Sequence, residues 1–293
     1  MSEKTIGIVG IGLMGGAIAR NILRKGYDVI VFDKLQEKKE AFLSFGARLA
    51  SSVGELSDYS DVIITSLPTP QNVKEVYFEK GGIIENIREG QVIIDTSTID
   101  PGTSESVEAA VKKKKAGMLA VCLGKGPKQA DEGSMPLYVG GEKAIYEKVE
   151  KLLAEIGGNV YYFGSVRAAT GFKLISNMVG MGNLALIAEA YALSKLLSIP
   201  ANVFLEALKN SGAASYQLEL RLPMMIEGDY STKFAVNYTK KDVGLGLEMA
   251  KQAEAMVPIS SVISRLYVAA QEKGWGNLDS AAVYRIYEQS NFE

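Results

Sequence analysis

A lysine and an asparagine stand one helical turn apart in the otherwise uncharged segment GFKLISNMVG, residues 171–180. Lys173 and Asn177 are separated by four positions, so on a helix both side chains project from the same face. An ammonium group whose pKa is lowered by desolvation can exchange a proton with a substrate, and an amide can hold a substrate oxygen. The same lysine could instead lay its stem along a packed helix and keep its charge in water. The residues of this segment alone leave both interpretations open.

Three glycines follow the first apolar run of the chain, in the stretch GIVGIGLMG. Gly10, Gly12 and Gly15 have GxGxxG spacing, between a predicted strand and a predicted helix, and the next strand ends in Asp33. In this context Gly10 permits a tight turn, Gly12 lets the backbone approach a pyrophosphate, and Gly15 lets the helix pack on the sheet. The residues predicted to contact a dinucleotide here are Gly10, Gly12, Leu13, Met14, Gly15, Asp33 and Lys34.

The acidic residue at the end of the second strand bears on the choice between NAD and NADP. Asp33 would accept hydrogen bonds from the hydroxyls of the adenosine ribose and would repel a 2′-phosphate, which favours NAD. Lys34, Lys38 and Lys39 stand close by and could offset that repulsion. NADP therefore stays an alternative cofactor.

Composition excludes several kinds of site. The single cysteine, Cys122, excludes an internal disulfide and a zinc site built from cysteines, and we predict no metal site. The chain has no histidine, so acid–base chemistry must use Lys, Asp, Glu, Tyr or water. A net charge of -2 gives no reason to expect nucleic acid or a membrane surface as partner. The start of the chain has no signal pattern and the apolar segment 178–193 is short for a membrane span, so we expect a cytoplasmic protein.

The pattern of apolar residues predicts an α/β fold followed by a helical region. Short β-branched runs are predicted as strands: TIGIVG, YDVIVFD, DVIITSLP, QVIIDTST, GMLAVCL, PLYVGG and NVYYFG. Apolar runs separated by helices, such as 13–25 and 103–115, indicate a mostly parallel, doubly wound sheet. The later predicted helices span residues 168–197, 201–209, 218–225, 241–256, 259–273 and 279–289. We therefore predict an N-terminal Rossmann domain (1–164) and an all-helical C-terminal domain (165–293) that begins with a long interdomain helix.

An ordered set of motifs runs through the whole chain. They are GIVGIGLMGGAIARNILRKGYDVIVFD, SLP (66–68), DTST (95–98), KGPKQADEGSMPLYVGG (125–141), GFKLISN (171–177), KKDVGLGLEMA (240–250) and GWGNLDSAAV (274–283). Their order resembles the β-hydroxyacid dehydrogenases, the family that includes 3-hydroxyisobutyrate dehydrogenase and tartronate semialdehyde reductase. Any one of these motifs alone would be unspecific, but the set in this order is specific.

The resemblance implies roles for particular residues. Lys173 is implied to be the general acid and base, and Asn177 is implied to orient the substrate. Ser97 is implied to lie near the substrate carboxylate, and Lys241 to reach the cofactor or the substrate. Asp242 is implied to fix the helix that carries Lys241. The further cofactor contacts that the resemblance implies are Leu67, Pro68, Thr98 and Lys241.

One loop departs from the pattern of the family. Many members carry Ser-Gly-Gly where this chain has Gly124, Lys125 and Gly126. The change removes a hydroxyl donor and adds a cation, and it is similar to the sulfolactaldehyde reductases, which place arginine here. We infer that Lys125 and Gly126 bind a substrate with a compact anionic head, carboxylate or sulfonate. A Lys125 that points into water stays the alternative.

The resemblance implies a reversible, NAD(P)-dependent oxidation of a short 3-hydroxy acid to its semialdehyde, with Lys173 as acid and base. The substrate would be of the 3-hydroxyisobutyrate, serine, tartronate semialdehyde or sulfolactaldehyde type. A decarboxylating relative of 6-phosphogluconate dehydrogenase and a non-catalytic NAD(P)-binding protein are the alternatives. The extended helix and the apolar C-terminal half lead us to expect a homodimer or homotetramer.

Overall fold

The β-branched runs of the N-terminal half form one eight-stranded sheet in the structure, a computed structural model that describes residues 4–288. The strands are β1 Thr5–Val9, β2 Asp28–Phe32, β3 Arg48–Leu49, β4 Val62–Thr65, β5 Val92–Asp95, β6 Gly117–Leu123, β7 Pro136–Gly141 and β8 Asn159–Tyr162. Their order is β3-β2-β1-β4-β5-β6-β7-β8, and only the β6–β7 pair is antiparallel. The predicted strands are all present, whereas β3 was missed because two residues carry no periodic pattern.

Helices cover both faces of this sheet. They are α1 Leu13–Arg24, α2 Gln36–Ala41, α3 Val53–Tyr59, α4 Pro70–Phe78, α5 Ile83–Asn86, α6 Pro101–Lys113, α7 Pro127–Glu132 and α8 Lys143–Ile156. One apolar cluster joins the sheet to α1, α7 and α8, and a second joins it to α3, α4, α5 and α6. Every residue of β4 and β5 is consequently buried, which explains why these strands are apolar without alternation. The doubly wound sheet is as predicted.

The topology gathers loops at one edge of the sheet. β1 pairs with β2 on one side and β4 on the other, so the order of the strands reverses at β1. Ligands of open α/β sheets bind outside the carboxyl ends of the strands at such a reversal. Gly10 follows β1 there, Asp33 follows β2, Ser66 follows β4 and Thr96 follows β5.

The long helix α9 spans Val166–Leu196 and has 31 residues, a length of roughly 45 Å at the usual rise per residue. The chain forms two compact units that divide inside this helix, between Lys173 and Leu174. The domain boundary that we placed between residues 164 and 165 stays a prediction. Among the described residues α9 is a helix long and apolar enough to cross a membrane by length and composition, a test that core helices of soluble proteins also pass. The apolar segment 178–193, which by itself is short for a membrane span, is only part of this helix.

The C-terminal unit is helical. After α9 come α10 Ala201–Lys209, α11 Tyr216–Glu227, α12 Val236–Gln252, α13 Pro258–Ala270, a π turn Gln271–Trp275, a 3-10 helix Ser280–Tyr284 and α14 Arg285–Glu288. The helix predicted at 241–256 begins five residues earlier, at Val236. Its first turn is stabilised by tertiary hydrogen bonds, since Val236 N–H donates to Leu278 O and Asn237 N–H donates to Gly276 O. The helix predicted at 259–273 changes to a π turn after Ala270. The one predicted at 279–289 is a 3-10 helix followed by α14, and residue 289 lies outside the described residues.

A buried ion pair organises the start of α12. Asp279 Oδ1 lies 3.0 Å from Arg221 Nε, and both side chains are almost wholly shielded from solvent. The other oxygen of Asp279 accepts the backbone N–H groups of Lys233 and Phe234, and Oδ1 also accepts that of Ala281. Burial of a carboxylate is costly unless it is paired and hydrogen-bonded, and here it is both. This carboxylate therefore joins α11 to the segment that precedes α12.

Candidate functional site

The glycine loop after β1 has two glycines that packing requires and one that it does not. Gly10 has φ +86°, and a Cβ on it would lie 2.4 Å from Ser66 O. A Cβ on Gly15 would lie 2.0 Å from Gly10 O, so helix α1 approaches the loop more closely than any side chain permits. A Cβ on Gly12 would meet nothing within 4 Å, and the protein itself gives no reason for a glycine there.

The amino end of α1 is also open. Gly12 is its N-cap and supplies no side-chain hydrogen bond, and the first turn contains no acidic residue. Helix N-termini with exposed N–H groups bind phosphates, and a glycine at the cap lets a pyrophosphate approach the backbone. Leu13 and Met14 form this first turn, and the Leu13 side chain is 67% exposed. The geometry of the loop thus fits a dinucleotide.

Asp33 is held in place by the backbone on both sides. Its Oδ2 accepts the N–H of Ile11 at 3.1 Å, and its Oδ1 accepts that of Leu35 at 3.0 Å. The carboxylate therefore joins the glycine loop to the turn after β2. Each oxygen retains lone pairs for further donors, and the side chain is 13% exposed. This arrangement can receive the hydroxyls of a ribose.

Of the three lysines that follow β2, only one approaches this carboxylate. Lys38 Nζ lies 4.0 Å from Asp33 Oδ2. Lys34 instead donates to Glu75 Oε2 on α4, at 3.1 Å. Lys39 is buried: it donates to Ala50 O at 3.3 Å, and its ammonium stands 5.3 Å from the centre of a neighbouring phenylalanine ring. Two of the three lysines whose charge could offset a 2′-phosphate, Lys34 and Lys39, thus contact other groups.

Ser97 connects the loops that follow β4 and β5. Its Oγ donates to Asp95 Oδ1 at 2.6 Å and accepts the N–H of Leu67 at 2.9 Å. Thr65 Oγ1 donates to the same carboxylate oxygen at 2.7 Å. A serine hydroxyl has one proton, and here that proton is directed at Asp95. Ser97 therefore ties the SLP loop, which includes Pro68, to the end of β5; Thr98 is the next residue of the same strand-end loop.

Burial dominates the electrostatics of this cluster. Asp95 is enclosed, and desolvation raises the pKa of its carboxyl, although hydrogen bonds from Ser97 and Thr65 act in the opposite direction. Tyr77 OH lies 2.8 Å from Thr65 Oγ1, and since the threonine proton is directed at Asp95, the tyrosine is the donor. Burial and the nearby Asp95 raise the pKa of Tyr77. The cluster is a closed polar network that fixes the geometry of two loops.

The GKG loop connects β6 to α7. Gly124 is buried, and a Cβ on it would lie 2.5 Å from Pro136 Cγ. Lys125 is exposed and has φ +61°, a left-handed conformation that costs a residue with a side chain roughly 1–2 kcal/mol. A Cβ on Gly126, the N-cap of α7, would meet only one protein atom within 4 Å, at 3.8 Å. On α7, Asp131 Oδ1 accepts from Arg20 Nε of α1 at 2.8 Å, so this loop is tied to the helix that carries the glycine loop.

Lys173 is half-buried in α9. Phe172, the preceding residue, packs against Tyr138 and Phe163 with ring centroids 4.7 Å and 4.6 Å away. These aromatic contacts fix the rotation of the first turns of α9 against the N-terminal sheet. Asn177 follows Lys173 by one turn of the same helix.

A carboxylate joins Asn177 to Lys241 in the C-terminal unit. Asn177 Nδ2 donates to Asp242 Oδ2 at 2.6 Å, and Lys241 Nζ lies 3.0 Å from Asp242 Oδ1, in an ion pair outside hydrogen-bond geometry. The Asp242 side chain is only 3% exposed. The resemblance implied that Asp242 fixes the helix of Lys241. In the structure its carboxylate also orients the amide on α9.

The structure brings the predicted residues together in groups. The glycine loop and Asp33 form one group, and Ser97 and Leu67 another, both at the carboxyl edge of the parallel strands. Asn177 and Lys241 form a third group. Sequence reasoning gave no role to Asp95, although the motif DTST includes it, and did not single out Tyr138. Asp95 had a signal, since it is an acidic residue directly after the wholly apolar run QVII; Tyr138 had none.

Two family models together match almost the whole chain. Residues 5–164 match the NAD binding domain of 6-phosphogluconate dehydrogenase. Residues 168–287 match the model described as NAD-binding of NADP-dependent 3-hydroxyisobutyrate dehydrogenase. The first model is named for 6-phosphogluconate dehydrogenase and the second for 3-hydroxyisobutyrate dehydrogenase, the two enzyme types that the motifs left open.

Curated relatives and solved structures agree with these models. The oxidoreductase YkwC of Bacillus subtilis is 31% identical over 97% of this chain and 99% of its own length. A probable mitochondrial 3-hydroxyisobutyrate dehydrogenase of Dictyostelium discoideum is 30% identical over 97% of this chain and 90% of its own length. The crystal structure of 3-hydroxyisobutyrate dehydrogenase from Salmonella typhimurium has a TM-score of 0.88 at 27% identity, and the match covers 97% of this chain and 99% of that one. This chain therefore belongs to the β-hydroxyacid dehydrogenase family of NAD(P)-dependent oxidoreductases.

Proposed function

We propose that this enzyme oxidises a short 3-hydroxy acid reversibly to its semialdehyde, with Lys173 as the group that moves the proton. The observation that carries this proposal is the placement of a half-buried lysine one turn before Asn177 on a continuous helix. The names of the Dictyostelium and Salmonella relatives support 3-hydroxyisobutyrate or a close analogue as the substrate class. Lys125 favours a substrate whose head is anionic.

In the oxidation, the hydroxyl proton of the substrate goes to the Lys173 amine as the carbon–oxygen double bond forms. A nicotinamide held at the glycine loop would supply the acceptor for the hydride of the hydroxyl-bearing carbon. In the reduction, Lys173 returns its proton to the oxygen that becomes the hydroxyl. The chain has no histidine, so lysine takes the role that imidazole has in many other dehydrogenases.

Asn177 holds the oxygen that loses or gains this proton. An ionised carboxylate only accepts hydrogen bonds, so one N–H of the Asn177 amide is directed at Asp242. The amide oxygen of Asn177 therefore points away from that carboxylate. The second N–H of the amide can donate to the substrate oxygen in both its hydroxyl and its carbonyl form, which leaves the hydroxyl proton directed at Lys173. The cation of Lys241 favours an anionic ligand nearby.

We propose NAD as the preferred cofactor. Asp33 supports this choice because its carboxylate is fixed at the ribose end of the glycine loop by two backbone N–H groups. A 2′-phosphate would bring its charge next to that carboxylate, and Lys34 is engaged by Glu75. NADP is the alternative, and exchange of Asp33 separates the two.

The decisive experiment removes the Lys173 amine. Lys173→Ala should lower kcat with 3-hydroxyisobutyrate by at least about 100-fold, in line with the usual contribution of a general acid–base group. Binding of NADH, followed by its fluorescence, should stay within twofold of the wild type. Lys195→Ala is the matched control, since Lys195 is an exposed lysine in the last turn of the same helix. A Lys173→Ala variant that keeps its turnover would contradict the assignment.

We also propose that the chain self-associates through α9. Ile175, Val179, Leu186 and Leu193 recur at intervals of four and seven residues, and each is between 51% and 60% exposed. Such spacing puts them on one stripe of the helix, and an apolar stripe of this length usually packs against another subunit. Leu186→Glu should lower the mass measured by light scattering. Leu43→Glu, at an exposed leucine of the N-terminal unit, should not change it.

A further inference from the structure

The first position of the GKG loop is crowded by a proline, Pro136, and by a tyrosine. A Cβ on Gly124 would lie 2.8 Å from the hydroxyl oxygen of Tyr138, nearer than a carbon can normally approach. Tyr138 stands on β7 opposite Cys122 of β6, and Gly124 N–H donates to Pro136 O at 2.8 Å. The register of this strand pair, which continues into the loop, thus sets where the phenol oxygen lies. The phenol oxygen therefore lies close to Gly124, the first residue of the loop.

Aromatic neighbours fix the direction of the tyrosine ring. Phe172 meets it edge-on with centroids 4.7 Å apart, and Phe163 and Tyr161 stand 6.2 Å and 6.1 Å away. Phe172 directly precedes Lys173 in α9. Tyr138 therefore places its hydroxyl close to Gly124 of the GKG loop and packs its ring against the helix of Lys173. A ring enclosed in this way presents its hydroxyl in one direction.

The hydroxyl itself is available to a ligand. No group among residues 4–288 forms a hydrogen bond with it, although buried tyrosines usually find a partner. The oxygen is also not one of the fully buried unpaired atoms of residues 4–288, so the protein does not wholly enclose it. Partial burial raises the pKa of Tyr138, so the hydroxyl stays neutral near pH 7 and can both donate and accept.

We propose that Tyr138 is a specificity-determining residue, whose hydroxyl donates a hydrogen bond to the anionic head of the substrate at the GKG loop. This inference rests on the proposed function and names which groups of that site select the substrate. Lys125 supplies a mobile point charge, whereas Tyr138 supplies a donor fixed in direction. A carboxylate or sulfonate has several oxygens, so it can accept hydrogen bonds from the Lys125 ammonium and the Tyr138 hydroxyl together.

The test compares two tyrosines of the same aromatic cluster. Tyr138→Phe keeps the ring contacts and removes only the hydroxyl; Tyr161→Phe does the same at the exposed member of the cluster. With 3-hydroxyisobutyrate, Tyr138→Phe should raise KM about 10-fold, the usual effect of losing one hydrogen bond to a charged group. The rise should be smaller with the uncharged methyl ester. The kcat, the Kd for NADH and the melting temperature should change little, and Tyr161→Phe should match the wild type throughout.

The outcomes separate the two proposals. If the wild type turns over the acid and Tyr138→Phe has the wild-type KM, the role of Tyr138 is wrong and the proposed function stands. Equal rises of KM for the acid and its ester, or equal effects of both variants, would also overturn that role. If the wild type oxidises no 3-hydroxy acid in a panel with NAD and NADP, the proposed function fails and this inference fails with it.

Discussion

Asn177 and Asp242 are joined by a hydrogen bond of 2.6 Å from the amide Nδ2 to the carboxylate Oδ2. The two residues are 65 positions apart in sequence, on α9 and α12, and the carboxylate is buried. Because an ionised carboxylate cannot donate, the contact selects one of the two orientations of the amide. The same carboxylate pairs with Lys241, so one buried charge orders two residues that the motifs associate with substrate.

Asp242→Ala should therefore impair catalysis without direct loss of a reacting group. It leaves a part-buried amide donor without its partner, which costs about 1–3 kcal/mol, and it frees the amide to turn. We expect kcat/KM to fall roughly 10- to 100-fold. Asp242→Asn, which still offers a carbonyl oxygen to Asn177, should keep more activity than Asp242→Ala.

Asp229→Asn is the control for this pair, because Asp229 is an exposed carboxylate whose hydrogen-bond partner is the nearby Ser231. It should leave kcat/KM unchanged. If Asp242→Asn and Asp242→Ala both retain wild-type kcat/KM, the orientation of Asn177 does not depend on this carboxylate.

Ser97→Ala should act on the cofactor loop as well as on the substrate. The Ser97 hydroxyl donates to Asp95 and accepts from Leu67 N–H. Its removal leaves the Leu67 N–H unpaired and takes one hydrogen bond from Asp95 Oδ1, which keeps the bond from Thr65 Oγ1. Loss of these bonds should lower the free energy of unfolding by about 1–3 kcal/mol in urea titrations. The SLP loop should loosen, and the Kd for NADH should rise.

A matched serine gives the comparison. Ser104 Oγ on α6 is buried and has no hydrogen-bond partner among the described residues, so Ser104→Ala should be neutral or stabilising. A Ser97→Ala variant with wild-type stability and wild-type Kd for NADH, but with a raised KM for the acid, would instead assign Ser97 to direct contact with the substrate carboxylate.

Asp33→Asn should move the enzyme towards NADP. The asparagine amide retains one oxygen that can accept a backbone N–H. The substitution removes the negative charge that repels a 2′-phosphate. The ratio of kcat/KM with NADP to that with NAD should rise about 10- to 100-fold, a change of roughly 1–3 kcal/mol for one charge at close range. Asp28→Asn, at the opposite end of the same strand, should leave the ratio unchanged because Asp28 pairs with Arg48. A ratio unaffected by Asp33→Asn would remove Asp33 from cofactor selection.

The sequence was informative where burial or backbone conformation restricts the residue type. Strands β4 and β5 are buried at every position, and their runs of Val and Ile are therefore typical of a parallel sheet covered on both faces. Gly10 and Gly15 were recognisable because a turn and a close helix approach exclude side chains. These are local requirements, and local requirements leave a pattern in sequence.

Contacts between distant segments left no such pattern. The first turn of α12 is held by the backbone of residues 276–278, which no propensity of the segment VNYTK indicates. The motif DTST was associated with the substrate through Ser97 and with the cofactor through Thr98, but only the structure shows that the proton of Ser97 is directed at Asp95. The crowding of Gly124 by Tyr138 depends in the same way on the register of β6 and β7.

Lys125 combines a strained backbone with a charge, and two substitutions separate these effects. Its φ of +61° suits glycine, whereas alanine in its place would keep the strain. Lys125→Gly should therefore be more stable than Lys125→Ala by roughly 1 kcal/mol in urea titrations, because glycine relieves the left-handed conformation but loses more chain entropy on folding. Both variants lose the ammonium, so both should raise KM for 3-hydroxyisobutyrate about 10-fold.

Lys128→Ala, at an exposed lysine of α7, should change neither the stability nor KM. If Lys125→Ala leaves KM unaltered, the cation points into water; if only Lys125→Gly raises KM, the substrate depends on the shape of the loop and not on its charge.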